Sequence, residues 1–197
     1  MNKAKVKSKL EAPSVQLLEQ ELEREKYKSR FRRTLRNTVF TLITVSAVAV
    51  LVATIWMPVL QIYGNSMTPM LSDGEIVLSL KTSDISKGEV VAFYYNNKIL
   101  IKRVIGIPGD WIEITDTGDL YVNERLIDEP YVSDKALGDS DIEYPYQVPE
   151  GKYFVMGDHR SVSIDSRNTS VGCVSQDQVV GRLIFKLWPI KDIGAVS

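Results

Sequence analysis

Between Val39 and Leu60 the chain runs VFTLITVSAVAVLVATIWMPVL without one charged side chain. No other feature narrows the possible folds as much. About 20 predominantly apolar residues cross the hydrocarbon of a bilayer as a helix, and a helix closes its own backbone hydrogen bonds there. The run is apolar all round and too long for a core helix. It ends in bulky IWMPVL rather than in the small residues of a signal-sequence exit site. Trp56, near the far end, suits a membrane interface. The run is therefore expected to be an uncleaved transmembrane helix over residues 39–60.

The flanks suggest its direction. KSRFRRTLR, residues 28–36, precedes the run, and no Lys or Arg follows it until Lys81. The positive-inside rule keeps the N-terminal arm, residues 1–38, in the cytoplasm and puts residues 61–197 on the other side. The charge balance agrees. Residues up to Arg36 hold eleven Lys or Arg against five Glu, and the remainder holds thirteen against twenty acidic residues. A basic arm and an acidic body point to different compartments. Within the arm, LLEQELEREKYKSRF has opposite charges three or four apart and reads as a solvated helix or tail. One cysteine, Cys173, excludes an internal disulfide and is read as a small buried apolar residue. A lone Cys and the lone His159 cannot form a zinc site by themselves.

The body reads as β. EIVLSL, EVVAFYY, ILIKRVIGI, WIEITD, LYVN, KYFVMG and VVGRLIFKLW are short runs rich in Val, Ile and aromatics. The turn signals SDG, SKG, YNN, PGD, TGD and PEG separate them. The expected fold is mainly β, an antiparallel sandwich or partly closed barrel behind one N-terminal transmembrane helix. The acidic stretch 128–148 lacks the oxygen-ligand spacing of a calcium loop and is expected to be a solvated surface insertion.

Three stretches of the body carry candidate chemistry. YGNSMTPML, residues 63–71, sets Ser66 between Gly64 and Pro69 just beyond the apolar run. A serine nucleophile needs a base, and His159 is the only histidine. An amine also serves if burial lowers its pKa. Lys102, in ILIKRVIG, would share a strand face with Leu100 and Val104, with Ile101, Arg103 and Ile105 opposite. Such a strand supports either a buried amine or an edge lysine reaching out to water. GDHRSVSIDSR, residues 157–167, is dense in Asp, Arg and Ser. It reads as a polar loop or as a support that orients a catalytic amine, with a carboxylate available to Arg103.

Together these stretches resemble the signature boxes of the bacterial type I signal peptidases, membrane-bound proteases with a Ser/Lys dyad. GNSMTPML resembles the nucleophile box, KRVIGIPGD the general-base box and GDHRSVSIDSR the third box. LYVNERLIDEPY is similar to the family's hairpin after the lysine strand, and the single anchor matches the form common in Gram-positive bacteria. The resemblance covers residues 36 to 187. It implies that Ser66 is acylated and that neutral Lys102 is the general base. It also implies that Ser163 hydrogen-bonds the Lys102 amine, that Asp165 pairs with Arg167, and that Asp158 pairs with Arg103. The Ser66 N–H is expected to meet the oxyanion.

The serine hydroxyl that some relatives carry two residues before the nucleophile is replaced here by Gly64. His159 stands where the family commonly has Asn, which suggests a hydrogen-bonded loop residue rather than a rival base. Gly64 is expected to let the backbone come close to the substrate strand, Pro69 to stiffen the loop, and Met67 to expose an apolar rim to lipid. The implied substrates are secreted preproteins with small residues, in an Ala-x-Ala pattern, before the scissile bond. They would bind as an added strand at the phospholipid membrane, with no cofactor, metal or nucleic acid. A relative devoted to pilin assembly is the alternative. A self-cleaving repressor is set aside, because a charged arm and an anchor precede the body in place of a helix-turn-helix.

Overall fold

The computed structural model describes residues 14–196. They divide into two compact units, one ending at Leu51 and one beginning at Val52. Residues 1–13 of the expected cytoplasmic arm lie outside the described residues.

Helix α1, Val15–Trp56, joins the charged LLEQELEREKYKSRF segment and the apolar run in one 42-residue element with no buried side chain. Opposite charges three apart, such as Lys28 and Glu25 at 2.9 Å, line its first part. In the apolar part, the Thr41 and Thr44 hydroxyls donate to the carbonyls of Asn37 and Phe40, so neither is left unsatisfied. The helix is long and apolar enough to cross a membrane. It stops at Trp56, short of the expected residue 60, because Pro58 has no N–H to continue the ladder. Val59–Gln61 is already strand β1.

The body is antiparallel β. Its larger sheet contains β1, β2 (Ile76–Leu80), β3 (Val90–Tyr95), β4 (Lys98–Gly106), β9 (Lys152–Met156), β10 (Val174–Ser175) and β11 (Val179–Trp188). They run in the order β1-β2-β11-β3-β4-β9-β10, with β12 (Gly194–Ala195) on β11. The smaller sheet has the order β7-β6-β5-β8, from β5 (Trp111–Ile114), β6 (Leu120–Val122), β7 (Arg125–Leu126) and β8 (Tyr146–Gln147). Among the described residues neither order closes on itself, so the body is a pair of open sheets rather than a barrel. All seven strands expected from the sequence are present. The β6–β7 hairpin turns through Asn123 and Glu124, both at positive φ (52° and 64°), as a tight two-residue hairpin requires.

Three apolar clusters hold the body together. Ile112, Leu120, Phe154, Met156 and Ile105 join the small sheet to β4 and β9. Val91, Phe93, Val104 and Val155 form a second cluster. Ile62, Met67, Leu71, Val77 and Val90 form a third, beneath the loop that carries Ser66.

Candidate active site

The loop between β1 and β2 is tied at its base and filled from below. Ile62 N–H donates to Glu75 O at 2.8 Å, and Gly74 N–H to Ile62 O at 3.0 Å. Gly64 sits at φ 86°, where a side chain is strained, and its N–H reaches Asp73 Oδ1 at 2.7 Å. Nothing in the protein lies within 4 Å of where its Cβ would be, and the positive φ by itself already calls for glycine. Met67 is only 2% exposed and packs with Leu71 and Val77, so it is an inward anchor and not the exposed lipid-facing residue expected. A turn that buries Met67 displays its neighbour Ser66, which is half-buried.

Lys102 lies on β4, paired on one side with β3, where Val91 is its partner. On the other side β9 takes over from Arg103. β4 is thus central from Arg103 onward, and Lys102 stands at the last position before that pairing begins; its burial, not its place in the sheet, excludes a lysine reaching out to water. Lys102 is 3% exposed, and a hydrogen bond of 2.6 Å joins its Nζ to Ser66 Oγ. Burial pushes the amine down from 10.5 to about 8, against the nearby Asp165 and Asp158 carboxylates and with help from Arg167.

The third box follows β9, whose register sets Met156 opposite Arg103 and so brings Gly157 beside Lys102. It contributes to three buried ion pairs. Arg103 Nε and Nη2 hold both oxygens of Asp158 at 2.9 and 2.8 Å. Arg167 Nε and Nη2 hold both oxygens of Asp165 at 2.8 Å. Arg160 holds both oxygens of Glu129 at 3.0 and 2.5 Å. These bidentate pairs are the geometry in which buried guanidinium is tolerated. Asp165 also accepts the Gly157 N–H at 2.9 Å, which ties the box to the end of β9. The pairings expected for Asp158 with Arg103 and for Asp165 with Arg167 are both present.

Ser163 departs from expectation. Its buried hydroxyl has no hydrogen-bond partner among the described residues, so it does not hold the Lys102 amine here. It rests instead against Gly157. A Cβ at Gly157 would overlap Ser163 Oγ and lie 2.5 Å from Ser66 O, so the close meeting of the two loops requires glycine.

The segment 128–148 was expected to be a solvated loop, and it is packed on the third box. Glu129 is its buried acid, Tyr131 stacks its ring 3.9 Å from the Arg103 guanidinium, and Leu137 O accepts Arg167 Nη1 at 2.6 Å. Asp141 receives the Thr169 hydroxyl and N–H, both at 2.6 Å. A run of Asp and Glu between turn residues looks the same whether its carboxylates face water or buried arginines, so the sequence offered no signal for Glu129 or Arg160. His159 is a hydrogen-bonded loop residue: its N–H donates to Ser66 O at 3.1 Å and its Nδ1 is 2.9 Å from Thr68 Oγ. Cys173 is half-buried against the cluster that joins the sheets. Among the described residues no group of His, Cys, Asp and Glu is arranged to hold a metal ion.

Ser66 and Lys102 open onto a cleft of about 920 Å³, walled by residues 59–64 on one side and 97–102 on the other. Both walls offer free backbone edges. β1 ends its sheet, and β4 lacks a β9 partner over residues 98–102. The arrangement is a serine hydroxyl against a buried amine of lowered pKa, at the floor of an open-edged trough.

The family model described as signal peptidase, peptidase S26, matches residues 35–188. Signal peptidase IB of Staphylococcus aureus is 41% identical over 152 residues, covering 66% of this chain and 78% of that one. Signal peptidase I of Bacillus licheniformis is 38% identical over 146 residues, covering 66% and 76%. A signal peptidase I of Enterococcus faecalis, known from its crystal structure, aligns with a TM-score of 0.42 and 33% identity over 51% of this chain and 97% of that one. The family match and the identity to the curated relatives show that this chain belongs to the bacterial type I signal peptidases, hydrolases of the peptidase S26 family.

Proposed function

We propose that this peptidase removes signal peptides from secreted preproteins by acyl transfer, with Ser66 as nucleophile and Lys102 as general base. The observation that carries the reading is the 2.6 Å contact between Ser66 Oγ and a buried amine whose pKa lies near 8. Ser66 Oγ attacks the scissile carbonyl while its proton passes to neutral Lys102 Nζ. The tetrahedral oxyanion is met in part by the Ser66 N–H, which makes no hydrogen bond to any described residue. Its collapse breaks the C–N bond, and the leaving amine takes the proton from Lys102. Water, deprotonated by the same amine, then releases the signal peptide and frees Ser66. Asp158, Arg103, Asp165 and Arg167 support the dyad as two locked pairs, and Ser163 contributes only by packing against Gly157.

The substrate joins as a strand between the free edges of β1 and β4, and alternate side chains enter shallow pockets suited to an Ala-x-Ala pattern. The apolar part of α1 anchors the enzyme in the cell membrane, with the arm in the cytoplasm and the body outside. Ser66 follows the end of that helix by ten residues, so the nucleophile is tethered to the anchor by a short length of chain. Purified full-length protein in detergent should cut a preprotein after its Ala-x-Ala site, located by mass spectrometry, and Ser66→Ala and Lys102→Ala should each leave no product. Cleavage by Lys102→Ala that disappears in His159→Ala would replace the amine with the imidazole as base.

A further inference from the structure

The carbonyls on either side of Ser66 are both held. Ser66 O accepts the His159 N–H at 3.1 Å. Asn65 O accepts both the Thr68 N–H at 3.2 Å and the Thr68 hydroxyl at 2.9 Å. The Thr68 hydroxyl has one hydrogen, and the Asn65 carbonyl can only accept, so that hydrogen goes to Asn65. The 2.9 Å contact between Thr68 Oγ and His159 Nδ1 is then a hydrogen bond donated by an Nδ1–H. The Asn65–Ser66 peptide is not among the cis bonds. In a trans, planar peptide the N–H points opposite to the C=O. Whatever fixes the Asn65 carbonyl therefore fixes the direction of the Ser66 N–H.

We infer that His159 and Thr68 are positioning residues that aim the Ser66 N–H at the oxyanion, through the chain His159 Nδ1–H to Thr68 Oγ–H to Asn65 C=O. The inference rests on the dyad reading above, in which that N–H is an oxyanion donor. It also gives weight to the glycine at position 64. With no side-chain hydroxyl there, the Ser66 N–H carries more of the oxyanion's stabilisation, and its orientation matters more. The donor Nδ1–H is present in the imidazolium and in one neutral tautomer, so the brace does not depend on the charge of the ring. His159 and Thr68 touch neither the amine nor the scissile bond in this scheme. An asparagine at 159 carries Nδ2 where the imidazole carries Nδ1, so it can make the same donation.

The test uses full-length enzyme in detergent and a preprotein substrate, with kcat and KM measured separately and Tm recorded for each variant. Losing an oxyanion donor outright costs about 10²–10³ in kcat, and misaiming one should cost less. His159→Leu and Thr68→Val are each expected to lower kcat about tenfold, with KM moved by less than about twofold. The double variant should be no worse than the poorer single, because both break one chain. His159→Asn should keep kcat within about threefold of wild type.

Wild-type kcat in Thr68→Val, losses that multiply in the double variant, or a defect confined to KM would each overturn the inference. So would an His159→Asn as poor as His159→Leu. If His159→Leu melts early, Thr68→Val and His159→Asn still decide. Ser66→Ala separates the two levels. If it still cleaves, the dyad reading has failed; if it is inert while Thr68→Val is unimpaired, only the brace has failed.

Discussion

Lys102 is the residue on which chemistry and stability pull in opposite directions. An ammonium at a site 3% exposed is poorly solvated, which is why its pKa falls from 10.5 to about 8. The neutral amine is the base, so activity should be lost as pH falls through about 8 and should rise toward a plateau above it. A pH–rate profile of kcat/KM with its acid limb well below neutrality would contradict this assignment. The same shift sets a stability window. Between about 8 and 10.5 the unfolded chain binds a proton that the folded chain does not, so stability rises with pH across that window. Below it both states are protonated and the full cost of burying the charge is present. At about 1.4 kcal/mol per unit, that cost is on the order of 3 kcal/mol. Lys102→Met should therefore be inactive yet more stable at pH 7, by up to about 3 kcal/mol, with the gap closing toward pH 10.5. Urea midpoints of both proteins at pH 7 and pH 10 measure this, and a less stable Met variant at pH 7 would reject it.

At the scale of elements, the site is assembled where three connections meet: the β1–β2 loop, strand β4, and the box after β9. The segment 128–148 is the fourth participant, because it supplies the carboxylate of Arg160 and a carbonyl for Arg167. Removing one partner of a buried pair strands the other charge, which costs about 3–5 kcal/mol. Glu129→Ala and Arg160→Ala should each lower Tm sharply, and the double variant should lose less than the sum of the two. Additive losses in thermal melts would show that the two residues act independently. The contrast with the sequence reading is physical. The seven strands read from the sequence, even the three-residue β6, were legible because alternation and turn residues are local properties. Strands β1, β7, β8, β10 and β12 have two or three residues each, and only their partners define them. Ser66, Lys102 and the pairs of Asp158 and Asp165 were legible through three boxes in order. Met67 was misread because a methionine between polar residues looks exposed until the turn folds it under. Ser163, expected on the Lys102 amine, rests instead against Gly157 without a hydrogen-bond partner among the described residues, a matter of loop placement that the sequence does not carry. Thr68 and Glu129 carry no local mark at all.

For the whole molecule, the decisive quantity is the apolar surface of α1. Phe40, Leu42, Ile43, Val45, Leu51 and Ile55 are each between 58% and 65% exposed, and no side chain of the helix is buried. Soluble monomers rarely leave a contiguous apolar patch beyond a few hundred Å² in water. Lipid removes that cost, and it leaves the direction of insertion to the flanking charges. On one side Arg30, Arg32, Arg33 and Arg36 lie within a few residues of the apolar stretch. On the other side the first basic residue is Lys81, beyond the range over which such charges set topology. The arm should therefore stay inside and the body should face out. Single cysteines in a Cys173→Ser background read this directly, with one at Ser29 in the charged part of α1 and one at Ser133 in the body, both exposed positions. In intact cells a membrane-impermeant maleimide should label Ser133→Cys, and should label Ser29→Cys only after permeabilisation. Labelling of both positions in intact cells would mean that the helix does not span. The reverse pattern would put the dyad on the cytoplasmic side, where no exported preprotein presents its cleavage site, and the proposed function would fall with the topology.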